Sequence, residues 1–175
     1  MELKAQDIIE KARIYAYKCH RDVNHWYDGK PYEYHLEMSF KEAEKYIYLI
    51  PNEFQIFVLI AVLCHDLFED ARQSYNDIKR NTNETVADIV YAVSDEKGKT
   101  REEKHNDKYY NGIRTISGAL FVKLCDRLAN SKHSLEQKST MFNKYKKEYF
   151  DFKKQLYNES LKPMFDELDS LYNNN

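Results

Sequence analysis

The chain has 175 residues, of which 42% are hydrophobic and 32% charged, and its net charge at pH 7 is -2. This length fits one domain with a substantial core, so we expect a single functional site. The charge balance lacks the basic excess of a nucleic-acid binder, and we therefore expect no nucleic-acid partner.

Apolar spacing predicts a first amphipathic helix over residues 4–20. Residues 21–34 contain the turn sequence Asp28-Gly29-Lys30-Pro31. We predict a loop there, which delivers His35 to the start of the second helix. That helix should continue to about Ile50, because a proline follows.

The most apolar segment predicts a central, buried helix over about residues 53–70. Residues 75–93 should form two short helices that are broken near Asn81-Thr82-Asn83. A charged loop should then lead into another helix.

A second strongly apolar helix is predicted over residues 117–131, followed by two helices over about 139–157 and 158–172. Only four glycines and three prolines are present, fewer turn residues than a sheet-rich domain of this length needs. We therefore predict an all-α fold with a single domain over residues 1–175.

Cysteine usage and the apolar runs predict where the protein resides. Cys19, Cys64 and Cys125 form no Cys-x-x-Cys pair, which argues against a disulfide framework or a zinc ribbon and favours a reducing cytoplasm. The longest apolar run, residues 56–64, is far shorter than the about 20 residues of a membrane span. We expect a cytoplasmic protein without a targeting segment or membrane anchor.

The predicted central helix ends in the ionisable sequence HDLFED, residues 65–70. Glu69 follows His65 by four residues and Asp70 follows Asp66 by four, so on one continuous helix each pair would share a face. Burying several acids is costly unless a cation or a hydrogen-bond network compensates. The alternative interpretation is a solvated helix end beside a structural histidine.

Two other segments supply donors of matching type. Asp126 interrupts the second strongly apolar helix, and His35 follows the sequence PYEY. Imidazole nitrogens combined with carboxylate oxygens suit Mn²⁺, Fe²⁺ or Mg²⁺ with open coordination positions better than a closed structural zinc site. The pattern therefore indicates a divalent metal centre, for which we favour Mn²⁺.

Four stretches of the chain carry a family resemblance. They are GKPYEYH (29–35), LCHDLFED (63–70), DIVYAVSDEKGK (88–99) and VKLCDRLANSKHS (122–134). They resemble the HD-domain phosphohydrolases, and most specifically the hydrolase domain of RelA/SpoT-type and metazoan small alarmone hydrolases. The resemblance covers most of residues 5–150 and implies an HD-type helical bundle, which the two C-terminal helices predicted above, over about 139–172, would complete.

The resemblance also implies roles for the ionisable residues. The implied metal ligands are His35, His65, Asp66 and Asp126. Glu69 and Asp70 match the family's acid pair, whose implied catalytic role is to orient and deprotonate the attacking water.

Polar residues of the second half of the chain are candidates for substrate binding. Asn130 resembles the position that helps to hold the nucleotide, and Tyr145 fits a tyrosine that lines its pocket, with ordinary packing as the alternative for Tyr145. Lys123 and Arg127 could each neutralise phosphate or form a structural salt bridge. The loop that matches the family's stretch near the phosphates contains Lys97, Lys99 and Arg101, each of which could equally be a solvated surface charge.

The chain departs from the family pattern after its first helix. A glutamine- and arginine-rich segment is usual there, whereas residues 21–27 read RDVNHWY. The remaining cationic candidates for substrate binding are Arg21, His25 and Lys30, and Trp26 adds an aromatic face for stacking.

These observations predict a metal-dependent enzyme that hydrolyses a phosphate or pyrophosphate group from a small-molecule nucleotide. The favoured substrate is a ppGpp-like alarmone, cleaved at its 3′-pyrophosphate. Since the chain has no room for the family's synthetase domain, we expect a stand-alone hydrolase. The alternatives are an HD-type phosphatase acting on nucleoside monophosphates or NADPH-like nucleotides, and a non-catalytic nucleotide-binding regulator.

Overall fold

A computed structural model describes residues 2–174, so the two ends of the predicted domain 1–175 lie outside the described residues. The all-α prediction is confirmed. The α-helices, in chain order, are α1 (Glu2–Asp22), α2 (Glu33–Tyr46), α3 (Asn52–Cys64), α4 (Leu67–Asp70), α5 (Tyr75–Asn81), α6 (Glu84–Val93), α7 (Arg101–Lys104), α8 (Asp107–Thr115), α9 (Ala119–Glu136), α10 (Met141–Leu156) and α11 (Lys162–Asn173). Within this range, no helix is both long and apolar enough to cross a lipid bilayer.

The segment before α2 differs from the prediction: it contains a small antiparallel hairpin and is not a simple loop. Its strands are β1 (Trp26–Tyr27) and β2 (Lys30–Pro31). Asp28 and Gly29 connect them with positive φ angles of 49° and 74°. An Asp-Gly pair with both residues in this region is the preferred two-residue hairpin connection, because its twist matches that of the flanking strands.

Helix α3 is the buried centre, as its apolar sequence predicts. Val58 and the residues 60–64 are buried, and α3 packs against α1, α2, α6 and α9. The predicted helix over 53–70 is wrong at its C-terminal end, because α3 ends at Cys64 and α4 begins at Leu67. The Asp66 backbone, with φ -98° and ψ 2°, leaves the helical region there.

The other predicted boundaries need smaller corrections. Helix α2 ends before residue 50, and a 3-10 turn over Ile47–Leu49 leads to the proline. The predicted break near residues 81–83 is confirmed, and Asn83 begins α6 by accepting a hydrogen bond from the Val86 amide. The charged loop contains α7, and the two predicted C-terminal helices correspond to α10 and α11.

The start of α9 requires a glycine. Gly118 has a φ of +85°, and a Cβ placed on it would lie 2.6 Å from Val58 Cγ1 and 2.9 Å from Phe54 Cε1. We expect Gly118→Ala to destabilise the protein by about 2 to 4 kcal/mol, since it combines backbone strain with overpacking. Gly29→Ala is the matched control, because Gly29 also has positive φ but no atom within 4 Å of its Cβ position. Urea denaturation of both variants measures their free energies of unfolding, and equal losses of stability in the two variants would contradict this prediction.

Candidate metal centre and its pocket

Three helices bring side chains of metal-ligand type to one point. His35 lies on α2, His65 directly follows α3, and Asp126 lies on α9. One donor atom from each residue lies within 4.8 Å of the other two. The two Nε2 atoms are 3.2 Å apart, and Asp126 Oδ1 lies 3.4 Å from Nε2 of His35 and 3.6 Å from Nε2 of His65.

Asp66 joins the same group from the break between α3 and α4. Its Oδ2 lies 2.9 Å from His65 Nε2 and 3.4 Å from His35 Nε2. The Tyr32 hydroxyl donates a hydrogen bond to this oxygen. The chain therefore leaves the helical path where the Asp66 carboxylate turns toward partners from distant parts of the sequence.

Neighbouring groups orient these side chains. His65 Nδ1 lies 2.8 Å from the Val62 carbonyl oxygen, to which it donates, so in the neutral imidazole the lone pair is on Nε2, which faces the group. Asn130 donates a hydrogen bond to Asp126 Oδ1, and Lys123 Nζ lies 3.4 Å from Asp126 Oδ2. Orienting contacts of this kind are typical of metal ligands.

The charges of the group stabilise one another. Burial opposes a positive charge on His65, but the carboxylates of Asp66 and Asp126 outweigh burial and raise the pKa of His65 well above its usual value. Burial likewise opposes ionisation of Asp66, but His65 and His35 lower the pKa of that carboxyl well below its usual value. Burial also opposes ionisation of Asp126, but Lys123 and the two histidines hold the pKa of that carboxyl well below its usual value. Both aspartates therefore remain ionised.

The donor set could hold a divalent metal ion. Two ligand atoms at about 2.1 Å from one ion and at right angles to each other are about 3 Å apart, close to the nitrogen and oxygen separations in this group. Two imidazoles and ionised carboxylates form a mixed donor set that suits Mn²⁺, Fe²⁺ or Mg²⁺.

A cavity of about 260 Å³ opens above these donors, and we call it the metal pocket. Its lining residues are Tyr27, Tyr32, His35, Asp66, Glu69, Asp95, Arg101, Lys123, Asp126, Arg127, Asn130 and Tyr145. The hairpin forms one wall, where the Tyr27 ring stacks on His35 at 4.8 Å between centroids. The Tyr27 hydroxyl also donates a hydrogen bond to Asn130 Oδ1 at 2.8 Å.

The two members of the acid pair differ in position. Glu69 lines the metal pocket and accepts a hydrogen bond from the Asp95 amide at 2.9 Å. Desolvation by the pocket wall raises the pKa of Glu69 to about 7, with Lys123 opposing and Asp66 adding to the rise. Asp70 is not among the lining residues, although desolvation and Asp66 raise its pKa as well.

The predicted substrate-binding residues fall into three groups. Arg101, Asn130 and Tyr145 line the metal pocket, together with Lys123 and Arg127. A separate concavity beside the exposed Trp26 contains Arg21 and Lys30. The remaining two, Lys97 and Lys99, are exposed and line neither cavity.

Sequence reasoning did not single out Tyr27, Tyr32 or Asp95 as pocket residues. The tyrosines lie just outside the Asp-Gly turn, so recognising a hairpin there would have pointed to an aromatic wall. Asp95 lies within a stretch that carries the family resemblance, but its contacts are long-range. Burial opposes its ionisation, whereas the His105 hydrogen bond and the Lys123 charge lower its pKa to about 2.

A buried histidine behind the pocket predicts how stability depends on pH. His20 is 1% exposed and stacks on Tyr32 at 4.3 Å. Burial lowers its pKa to about 4, against an ordinary value of about 6.5 in the unfolded chain. The unfolded state therefore binds the proton first, and the stabilisation present above about pH 6.5 is lost as the pH falls toward 4.

We expect this histidine to contribute a loss of about 2 kcal/mol in the free energy of unfolding between pH 7 and pH 5. Denaturation of parent and His20→Gln at the two pH values measures the contribution, because the variant should lose correspondingly less on acidification. Equal losses in the two proteins would assign the acid sensitivity to other groups.

Comparison with known proteins supports the resemblance. A scan against protein-family models found no match. A curated guanosine-3′,5′-bis(diphosphate) 3′-pyrophosphohydrolase, MESH1 of Drosophila melanogaster, is 32% identical over 73 residues, which are 42% of this chain and 41% of that protein. The Mus musculus protein of the same name is 28% identical over 102 residues, or 58% of this chain and 57% of the relative. The aligned segments thus span about half of each relative, and the chain resembles HD-type alarmone hydrolases.

Proposed function

We propose that this chain is a metal-dependent phosphohydrolase that removes a phosphate or pyrophosphate group from a nucleotide, with ppGpp-like alarmones as the favoured substrates. The observation that carries the proposal is the convergence of two imidazoles and two ionised carboxylates from three distant segments at the base of one pocket. The names of the two relatives favour a 3′-pyrophosphate as the leaving group.

We assign the metal to His35, His65, Asp66 and Asp126, and we favour Mn²⁺ over Fe²⁺ and Mg²⁺. When bound, the ion supplies an activated water and neutralises charge on the phosphoryl group. We also retain the whole chain as one HD domain, since α10 contributes Tyr145 to a pocket that is otherwise built from earlier elements.

The remaining pocket residues have proton-transfer and binding roles in this proposal. Glu69 accepts the proton of the attacking water, and a pKa of about 7 suits a general base near neutral pH. Lys123 and Arg127 offset the charge of the phosphoryl oxygens. Asn130 is held between Tyr27 and Asp126 and offers its amide to the sugar.

A nucleotide phosphatase with simpler substrates is the second candidate. The metal pocket has a volume of about 260 Å³, which is small for a complete nucleotide because ligand pockets usually measure about 300 to 1,000 Å³. This size favours a substrate that places one phosphate and its sugar in the pocket and leaves the base outside, such as a nucleoside monophosphate.

A turnover screen tests the proposal. The purified chain, with Mn²⁺ added, should release pyrophosphate from ppGpp, or phosphate from NADPH or a nucleoside monophosphate. Chelation should abolish this activity, and Mn²⁺ should restore it better than Ca²⁺, which prefers larger all-oxygen sites. Full activity after metal removal would refute the metal mechanism, and preference for a monophosphate would favour the second candidate.

The loop that contains Lys97, Lys99 and Arg101 provides a sharper test of substrate contact. Arg101→Ala should raise KM for ppGpp about tenfold, because Arg101 lines the metal pocket whereas Lys97 and Lys99 do not. The double variant Lys97→Ala/Lys99→Ala is the control from the same loop and should change KM less than about twofold. Steady-state kinetics of both variants measure the two changes in KM. A larger rise in KM in the lysine variant would show that the loop contacts the substrate through Lys97 and Lys99 and not through Arg101.

A further inference from the structure

The Glu69 carboxylate has a single hydrogen-bond partner in the part of the chain that the structure describes. The Asp95 amide donates to its Oε1 at 2.9 Å. Glu69 lies on α4, which has only four residues and is too short to be a rigid support on its own. The orientation of this carboxylate at the wall of the metal pocket therefore depends on where the Asp95 amide is held.

Asp95 lies in the loop after α6, and its side chain fixes its position. His105 Nε2 donates a hydrogen bond to Asp95 Oδ1 at 2.8 Å, and both side chains are only 12% exposed. Lys104 Nζ lies 3.6 Å from the other carboxylate oxygen, but that side chain is 40% exposed, and exposed ion pairs stabilise little. The shielded bond from His105 is therefore the main anchor of Asp95.

Packing against α8 fixes His105 in turn. His105 directly follows α7, and its ring lies parallel to the Tyr109 ring of α8, with 4.4 Å between the centroids and 4° between the planes. Tyr109 is buried. A continuous series of contacts thus runs from the core of the bundle through His105 and Asp95 to Glu69.

The protonation states of the two side chains suit a fixed support. Arg101, Lys104 and Lys123 are the cationic neighbours of the pair. Burial lowers the pKa of His105 below its ordinary value, with Arg101 and Lys123 adding to the fall and Asp95 opposing it. At neutral pH a neutral imidazole therefore faces an ionised carboxylate. Because that carboxylate can only accept, Nε2 carries the imidazole proton.

We propose that His105 is a positioning residue for the general base Glu69, which it orients through Asp95. The inference rests on the proposed function, since Glu69 is assigned as the base only there. His105 does not line the metal pocket, so it acts on the base and not on the reacting group. Its hydrogen bond keeps the Asp95 amide directed at Glu69 Oε1 and leaves Oε2 to accept the proton of the attacking water.

Two substitutions of His105 separate its hydrogen bond from its ring packing. His105→Phe keeps an aromatic ring against Tyr109 but cannot donate to Asp95, whereas His105→Gln can donate through its side-chain amide but lacks the ring. His105→Phe should lower kcat about tenfold and change KM less than about twofold, because a misoriented base slows proton transfer without removing a contact to the substrate. His105→Gln should retain most of the parent's kcat. Lys104→Ala is the control, since it removes only the exposed neighbour of the same carboxylate and should leave kcat unchanged.

Hydrogen exchange of the Asp95 amide provides a readout that does not require activity. Measured by NMR in the presence of diamagnetic Mg²⁺, this amide should exchange slowly in the parent and in His105→Gln, and roughly tenfold faster in His105→Phe. Glu69→Ala removes the acceptor and gives the exchange rate of the unprotected amide. Circular dichroism of each variant checks that the fold is retained.

The two readouts separate this inference from the proposed function. A His105→Phe variant with the kcat and the amide exchange of the parent would overturn the positioning role. Equal losses of kcat in His105→Gln and His105→Phe would also overturn it, because the loss would then follow from the ring packing of the loop. If the parent hydrolyses no nucleotide but the exchange rates differ as expected, the proposed function is refuted and the support of Glu69 by His105 remains.

Discussion

His35→Ala and Asp126→Ala should each remove bound metal and hydrolytic activity together. Each residue contributes one of the closely spaced donor atoms. Removal of a residue that only supports a ligand lowers metal affinity about 10- to 100-fold, so removal of a ligand itself should lower metal affinity by more. Metal content after dialysis, measured by elemental analysis alongside turnover, gives the result.

His133→Ala is the matched control for the loss of a buried histidine. His133 lies on α9 like Asp126, but its Nε2 pairs with Asp28 of the hairpin turn, 2.9 Å away. This variant should retain its metal. Normal metal content in both ligand variants would show that the four residues form a structural ion-pair group instead.

The helices were predictable because their patterns are local. The apolar run before Cys64 and the scarcity of glycine and proline both indicate a bundle with a buried central helix, and α3 has that role. The break at Asp66 was not predictable from periodicity. It accompanies contacts of Asp66 with Tyr32 and His35, which are distant in sequence.

The geometry of the candidate site likewise has a local part that the sequence predicts and a long-range part that it does not. Spacing alone indicates that His65 and Glu69 are near each other, but the approach of His35 and Asp126 depends on how α2 and α9 pack. The sequence anticipated that approach only through the matching donor types and the family resemblance. The path of the charged loop is set by Asp95, whose amide binds Glu69, 26 residues away. Local sequence could not predict that the path brings Arg101 to the pocket and leaves the loop lysines outside.

Glu69→Gln should reduce kcat by roughly 10² to 10⁴ while leaving metal content and helicity near those of the parent. The amide cannot accept a proton from water, although it can still accept the hydrogen bond from the Asp95 amide that holds the side chain in place. Asp70→Asn is expected to lower kcat as well, but by less, because Asp70 does not line the metal pocket.

Glu84→Gln provides the control for loss of an acid, since Glu84 is 65% exposed and pairs with Lys79 on the surface. Turnover, metal content and circular dichroism are measured for all three variants. A fall in kcat without loss of metal would separate proton transfer from metal binding, because a ligand variant loses both. If Glu69→Gln and Asp70→Asn both turn over as fast as the parent, the acid pair has no part in catalysis, and the hydrolytic base must be sought among the other acids of the pocket, beginning with Asp95.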